Sequence, residues 1–329
     1  MTLRAGIIGA GRIAWQYDSG VHIEQQPSVT LASCLHRHPE TLLVSVFDPV
    51  AESRKNFHQG YLGPQPIELH EDLNHFLAQK LDLVAIASPS QYHADHIEAC
   101  LNAAIPRLWI EKPVTLKLED YGRLLKQYQS LIAVPRICVN YLRRSLPQIT
   151  YMKDFLAKSP DIPATTAINL TYSRQLEVNG IHLLDLLGAL TDSTEAPPLD
   201  FIRTGNGENP QFGLTVTGYP VTVTGHDLPY HLIEISITDS RGRLSLVHGA
   251  QELVWEAAEP NPDYPGFFRC ARPRPVPEMS ASTNGLQEAT YNMLCALLDD
   301  RKPSPSSLET AWFSQSLLDR VQTACLAGA

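Results

Sequence analysis

The chain has no run of apolar residues approaching the ~18 that a membrane-spanning helix needs, so no transmembrane segment is expected. It has no Lys/Arg cluster, and its formal net charge is −9. Such a surface repels polyanionic nucleic acid and anionic lipid, so neither is an expected partner. None of the six cysteines (34, 100, 138, 270, 295 and 325) stands in a CxxC or Cys/His ligand spacing. That pattern excludes a zinc motif and a disulfide framework, so no metal is expected, and it reads as reduced thiols in the cytoplasm. The first strand follows Met1-Thr2-Leu3-Arg4 with no separate apolar leader and no twin arginine, so export is not expected. There is no internal repeat and no low-complexity tract.

What remains is globular. Of 329 residues, 43% are hydrophobic and 19% charged, a length that suits two domains. Five short apolar runs mark the first part: Leu3–Ile8, Leu42–Phe47, Leu81–Ala87, Arg107–Ile110 and Ile137–Asn140. Continuous runs suit parallel strands buried on both faces. Helical patterns at Ala94–Ala104 and Leu118–Gln129 lie between them, which argues for βαβ units and a doubly wound sheet. After Tyr141 the character changes. Helical stretches at Ile149–Ala157 and Gly180–Leu190 flank a strand at Thr165–Tyr172. Strands follow at Leu214–Thr217, Val221–Thr224, Leu232–Thr238, Leu244–Val247 and Leu253–Glu256, with a turn at Asp239–Gly242. Asn261–Pro277 reads as a surface loop, and helices at Leu286–Leu298 and Ser307–Ala324 close the chain. The expected fold is α/β: a doubly wound parallel sheet over residues 1–140, then an α+β domain on a mainly antiparallel sheet over 141–329.

Gly9-Ala10-Gly11-Arg12-Ile13-Ala14 follows the first strand and fits G-x-G-x-x-G/A. Gly9 permits a tight turn, Gly11 lets backbone approach a pyrophosphate, and Ala14 lets helix and strand pack closely. Backbone N–H groups around Arg12 and Ile13 favour the diphosphate. Asp48 ends the second strand, where a carboxylate accepts from ribose hydroxyls and repels a 2′-phosphate. NAD is therefore favoured, with NADP left open by Arg54 and Lys55. Asp48 lies 34 residues beyond Ala14 rather than the usual ~20. The excess falls in Gln16–His38, which reads as an extended loop. Trp15 and Tyr17 there suit either a cap on the cofactor or simple packing.

Four further stretches share one pattern. Ala87-Ser88-Pro89-Ser90-Gln91-Tyr92-His93, Ile110-Glu111-Lys112-Pro113, Asn140-Tyr141-Leu142-Arg143-Arg144 and Asn179-Gly180-Ile181-His182-Leu183-Leu184-Asp185 follow the glycine motif in order. Together they resemble the Gfo/Idh/MocA oxidoreductases, the relatives of glucose–fructose oxidoreductase and inositol dehydrogenase. The long segment after the glycine turn, the Tyr172-Ser173-Arg174 stretch and the Asn-Gly-x-His form resemble a subgroup associated with nucleotide-sugar pathways. The resemblance implies a Rossmann domain followed by a large open-faced sheet carrying homo-oligomer contacts. It implies hydride transfer between nicotinamide and a secondary alcohol or ketone of a sugar, sugar acid or nucleotide-sugar. It also implies a cis Lys112–Pro113 bond, Lys112 and His182 as catalytic residues, and Ser88, Pro89, His93, Glu111 and Lys112 beside the cofactor.

The residue chemistry is compatible with those roles. A partly buried Lys112 ammonium at the carboxyl edge of a sheet can hydrogen-bond the reacting oxygen and lower its pKa. The resemblance makes His182 the general base, a role that suits imidazole chemistry, and Asp185 at i+3 shares its face as an orienting group or a ligand contact. Tyr141, Arg143, Tyr172 and Asn179 are candidates to line a substrate pocket, where arginine suits a phosphate or carboxylate. Val178 departs from the family pattern, which commonly has Asp four residues before the histidine. Two readings stand beside the dehydrogenase: a cofactor-bound sensor or regulator without turnover, and a lyase or glycosidase using the nicotinamide transiently.

Overall fold

Residues 2–19, 29–61, 63, 66–160, 166–204, 208–279 and 285–327 are described by the computed structural model. They divide into two compact units, Met1–Ser145 with Leu286–Glu309, and Leu146–Gly285 with Thr310–Ala329.

The apolar runs of the first unit form its sheet. Strands β1 (Leu3–Ile8), β2 (Thr41–Phe47), β3 (Glu68–His70), β4 (Leu83–Ile86), β5 (Arg107–Ile110) and β6 (Arg136–Val139) pair in the order β3-β2-β1-β4-β5-β6. All pairings are parallel. Every residue of β4 is buried, as expected of a strand covered on both faces. The order reverses direction between β1 and β4, so the carboxyl ends of these strands flank the crevice where ligands bind in such sheets.

Helix α1 (Leu31–Arg37) corrects the expectation of an extended loop over Gln16–His38, of which residues 20–28 lie outside the described residues. The Leu31 and Ala32 N–H groups donate to the carbonyls of Ile13 and Ala14. In an unbroken helix Tyr17 and Asp18 would make those bonds. Leu31 thus stands where Tyr17 would, a displacement of 14 residues. Subtracting it returns Asp48 to the usual ~20-residue spacing. The excess falls between the turn at Ile13–Ala14 and α1, and Asp18 ties to the start of that helix: one carboxylate oxygen accepts from the N–H of Val29 and from both N–H and hydroxyl of Thr30.

Helices α2 (Ala51–Gly60), α3 (Leu73–Leu77), α4 (His93–Asn102) and α5 (Leu118–Ser130) complete the crossovers. The segment 286–309 lies in this unit, whereas the sequence reading kept all of 141–329 together. The reason is packing: Met293, Leu294 and Leu297 share one core cluster with Ile7, Leu35 and Trp109.

The second unit opens with α6 (Pro147–Ala157). Strand β7 (Ala167–Ser173) leads through a π-helical turn, Leu176–Gly180, into α7 (Ile181–Thr191). Strands β8 (Leu199–Arg203), β9 (Gln211–Val216), β10 (Tyr219–His226), β11 (Ile233–Asp239), β12 (Gly242–Val247) and β13 (Glu252–Pro260) join β7 in a sheet ordered β13-β12-β11-β7-β10-β9-β8. Only β7 and β10 pair in parallel among these. Ile233, Ile235 and Ile237 are buried while Glu234 and Ser236 between them are partly exposed, the two-residue alternation of a sheet covered on one face. Helix α7 packs against β7 and β11. The expected turn at Asp239–Gly242 joins β11 to β12, with Gly242 at φ +140°, a value that favours glycine. Asn261–Pro277 is not all loop: β14 (Phe268–Cys270) and β15 (Arg274–Pro275) both pair with β13. Helices α8 (Gly285–Leu298) and α9 (Leu308–Ala327) follow. Among the described residues no helix is long and apolar enough to cross a membrane, and no group of three His, Cys, Asp or Glu residues is placed to hold a metal.

Candidate functional site

Gly9 closes β1 at φ +95°, and a Cβ built there would lie 2.6 Å from the backbone nitrogen of Ser88. Only glycine lets the turns after β1 and β4 approach so closely. Gly11 differs, because a Cβ on it would meet no atom within 4 Å. The space beside Gly11 is the opening a pyrophosphate needs, next to backbone N–H groups at the start of a helical turn. Arg12 is exposed at this edge and Ile13 partly so. Trp15 holds the turn from beneath: its indole N–H donates to Ala10 O at 2.9 Å, and its ring meets Phe57 edge-on. Trp15 is therefore packing, whereas Tyr17 is 61% exposed.

Asp48 is tied to the glycine turn. Its Oδ2 accepts from Ala10 N–H and its Oδ1 from Val50 N–H, both at 2.9 Å. A carboxylate has about four acceptor positions, so lone pairs remain for ribose hydroxyls. Arg54 is held beside it. Its Nη1 donates to the carbonyls of Asp48 and Pro49, and its Nη2 to the Glu71 carboxylate at 2.9 Å. The residues present fit an NAD-type dinucleotide.

The turn after β5 carries Glu111, Lys112 and Pro113, and the Lys112–Pro113 bond is cis. Asn140, at the end of β6, organises it. Its Nδ2 donates to Glu111 Oε1 at 2.5 Å, while its Oδ1 accepts from the Trp109 indole at 3.2 Å. Burial pushes the Glu111 carboxyl up to about 7, against the opposing pull of Asn140 and Lys112. Burial likewise pulls the Lys112 ammonium below its ordinary value; Glu111 resists this and Arg143 adds to it. Arg143, on the turn Leu142–Ser145, has its Nε buried without a hydrogen-bond partner. Burial alone lowers its guanidinium to about 10.

His93 corrects an expectation. It is 1% exposed, and its Nδ1 and Nε2 each lie 2.7 Å from a carbonyl, of Pro113 and Ser88 respectively. Neither ring nitrogen is left to face a cofactor. The ring is a strut between the turns after β4 and β5. Burial lowers its pKa, while the two carbonyls favour the protonated ring. His96, which the sequence reading missed, sits one helical turn on and pairs its Nδ1 with Ser88 Oγ at 2.9 Å. Its sequence signal was the i+3 spacing from His93. Ser88 is buried and Pro89 exposed.

Tyr141 is also buried, at 1% exposure, so its ring is core rather than pocket wall. Tyr172 in the second unit is a second such correction. Its ring is fully buried, its hydroxyl donates weakly to Pro210 O at 3.4 Å, and Gly225 gives it room. Both aromatics were placed correctly along the chain, but their side chains turn inward.

Asn179 lines an open cleft of about 350 Å³ with Arg174, Val178, Asp227 and His231. Its Nδ2 donates to Ser173 O at 2.8 Å and lies 3.1 Å from His231 Nδ1. Arg174 Nη1 reaches His231 Nε2 at 2.8 Å. Arg174 and Gln175 take φ +64° and +73°, values costly for residues with a Cβ. This strain directly precedes the π-turn, a feature that recurs at functional sites. His231 lies outside every motif, and no spacing pointed to it. Val178, at the position where the resemblance expects Asp, is 44% exposed in this cleft. His182 is partly exposed near the start of α7, and Asp185 is buried at 1%.

Residues 3–134 match the family described as oxidoreductases with an NAD-binding Rossmann fold, Gfo/Idh/MocA. No curated protein matches the chain. Among solved structures, the chain is similar to the WlbA dehydrogenase of Bordetella pertussis, in complex with NADH and UDP-GlcNAcA. Identity is 17%, with 100% of this chain and 96% of that one covered and a TM-score of 0.74. An oxidoreductase of Agrobacterium radiobacter, in complex with NAD+, L-tartaric acid and magnesium, is similar at 17% identity, 100% and 98% coverage and TM-score 0.70. A super-repressor mutant of Gal80p from Saccharomyces cerevisiae is similar at 14% identity, 100% and 97% coverage and TM-score 0.74. At such identities these likenesses show the fold alone.

Proposed function

Residues 3–134 belong to the Gfo/Idh/MocA oxidoreductases as their NAD-binding Rossmann domain, and from that premise we propose that the protein transfers a hydride between nicotinamide and a secondary alcohol or ketone of a sugar, sugar acid or nucleotide-sugar. The observation that carries the reading is Lys112. It leaves the carboxyl end of β5, two strands from the glycine turn, with its ammonium destabilised by burial. Such a group is poised to donate to an oxygen that gains negative charge.

In the oxidative direction Lys112 Nζ hydrogen-bonds the reacting hydroxyl and stabilises the alkoxide as it forms. His182 accepts the hydroxyl proton. Bound nicotinamide supplies the hydride acceptor. Gly9, Gly11, Arg12 and Ile13 present backbone to the pyrophosphate, and Asp48 takes the ribose hydroxyls. Asn140 holds Glu111, and His93 holds the carbonyl of Pro113, so both flanks of Lys112 are fixed before substrate arrives. Asn179 lines the substrate cleft in place of the missing Asp. The assembly we propose is a cytoplasmic homo-oligomer formed through the larger sheet.

Val178 favours one second reading, a cofactor-bound regulator without turnover; the fold is shared with a repressor. Absorbance at 340 nm separates the two. Protein with NAD+ and a panel of nucleotide-sugars, sugar acids and polyols should generate NADH with one class, and Lys112→Ala should abolish it. Tight NADH binding without turnover on any member would support the regulator.

A further inference from the structure

The cleft that holds Asn179 is lined, among the described residues, by the second unit alone. Its wall is mixed. Val178 and Leu228 are apolar, Asn179 and His231 carry nitrogen groups, and Asp227 and Glu208 set two carboxylates against the one guanidinium of Arg174. Glu208 Oε2 accepts from Gln175 Nε2 at 3.3 Å. The Asp227 carboxylate is exposed and takes no hydrogen bond or ion pair from the described residues. His231 is mismatched. A neutral imidazole accepts at one nitrogen and donates from the other, yet a donor faces each nitrogen of this ring. Arg174 Nη1 lies 2.8 Å from Nε2, and Asn179 Nδ2 lies 3.1 Å from Nδ1. The bond from the guanidinium is charge-assisted and the stronger of the two, which leaves the ring proton on Nδ1, against the Asn179 amide. Asn179 cannot turn its oxygen to meet that proton, because the same Nδ2 donates to Ser173 O at 2.8 Å. Two N–H donors thus face each other 3.1 Å apart, and an oxygen lone pair is what they lack.

We infer that this cleft holds a neutral, polyhydroxylated ring of the substrate, and that Asp227 and His231 select for it against a ring bearing a carboxylate or phosphate. A hydroxyl both accepts and donates. One ring hydroxyl accepts from the His231 and Asn179 donors, and a second hydroxyl donates to Asp227. Val178 and Leu228 give the C–H face of the ring an apolar contact. A few placed polar groups beside apolar wall are the usual makeup of a small-molecule site. An anionic substituent meets the opposite conditions, because it enters beside two carboxylates with a single guanidinium to offset them. Like charge works against binding, and such repulsion is how sites reject near-identical ligands.

The inference rests on the reading of this cleft as the substrate's, and the test separates it from hydride transfer. NADH-loaded protein is titrated calorimetrically with two matched pairs, D-glucose with D-glucuronate and UDP-D-glucose with UDP-D-glucuronate. Turnover of each is followed at 340 nm with NAD+. In at least one pair the neutral member should bind about tenfold or more tightly than its acidic twin. Asp227→Asn should weaken the neutral member about tenfold, the loss of one charge-assisted bond, and should tighten the acidic one. A merely structural role would weaken both alike. His231→Phe should weaken the neutral member about tenfold as well, and both variants should bind NADH as the unmodified protein does. Three results would each overturn the inference: no binding of any member, acidic members bound as tightly as neutral ones, or a folded Asp227→Asn variant in which the two members do not move in opposite directions. Asp227-dependent binding of a neutral member without turnover would leave the cleft assignment standing and remove the dehydrogenase reading. Turnover of an acidic member alone would do the reverse.

Discussion

Replacing Gly11 by Ala should strengthen the fold and weaken the cofactor, two effects of opposite sign from one methyl group. A Cβ at this position meets nothing within 4 Å, and its φ is not in the left-handed region. Gly→Ala at a compatible position stabilises by about 0.4–1 kcal/mol, because the unfolded chain has less freedom to lose. That corresponds to a rise of about 1–3 °C in Tm. The same methyl enters the space reserved for the pyrophosphate. Overfilling a close-fitting contact costs about 1–3 kcal/mol, so NADH should bind roughly 5- to 150-fold more weakly. Gly9→Ala is the matched control. It forces φ +95° on a residue with a Cβ that would lie 2.6 Å from Ser88 N. The left-handed conformation alone costs about 1–2 kcal/mol, so Tm should fall. Differential scanning calorimetry and calorimetric NADH titration read both quantities. Unchanged NADH affinity in Gly11→Ala would refute the assignment of that space.

Two other perturbations probe the same unit. Glu111 has a folded pKa of about 7, above its unfolded value of ~4.3. The folded state therefore holds an extra proton between those pH values, and stability falls as pH rises through the window. Glu111→Gln should remove that slope, so urea denaturation should show the variant gaining about 3 kcal/mol relative to the parent between pH 4.5 and 8; parallel curves would contradict the buried-carboxyl account. Glu71→Gln should free Arg54, which Glu71 holds through its Nη2, and raise NADPH affinity about tenfold with NADH little changed. Fluorescence titration with both cofactors checks this, and an unchanged NADPH affinity would show that Arg54 does not face the ribose.

The parallel strands were legible because burial on both faces writes an unbroken apolar run; Leu3–Ile8 and Arg107–Ile110 match residue for residue. Strand β3 was not, since Glu68-Leu69-His70 is three residues long with no buried member. Helix α2 buries only Phe57, too little to leave a periodic stripe. The 14-residue excess before Asp48 was visible as a number. Its place between the Ile13–Ala14 turn and α1 was not, because backbone bonds between Ile13 and Leu31 leave no mark on side-chain pattern. An amphipathic α8 does not say which core it will fill. At the site, residue types and their positions after strands could be read, as Gly9, Asp48 and Lys112 show. The direction of a side chain could not. His93, Tyr141 and Tyr172 turn inward because of backbone carbonyls or packing partners far away in sequence. The roles of Asn140 and His231 exist only once β5 meets β6 and β7 meets β11.

The measurement nearest the central claim is NADH formation at 340 nm by the unmodified protein and by Lys112→Ala, with NAD+ and matched acidic and neutral sugars. The account predicts growth with one class of sugar, sugar acid or nucleotide-sugar, and its loss in the variant while NADH still binds. Growth that survives loss of the Lys112 ammonium, or NADH binding with no growth on any member, would contradict it.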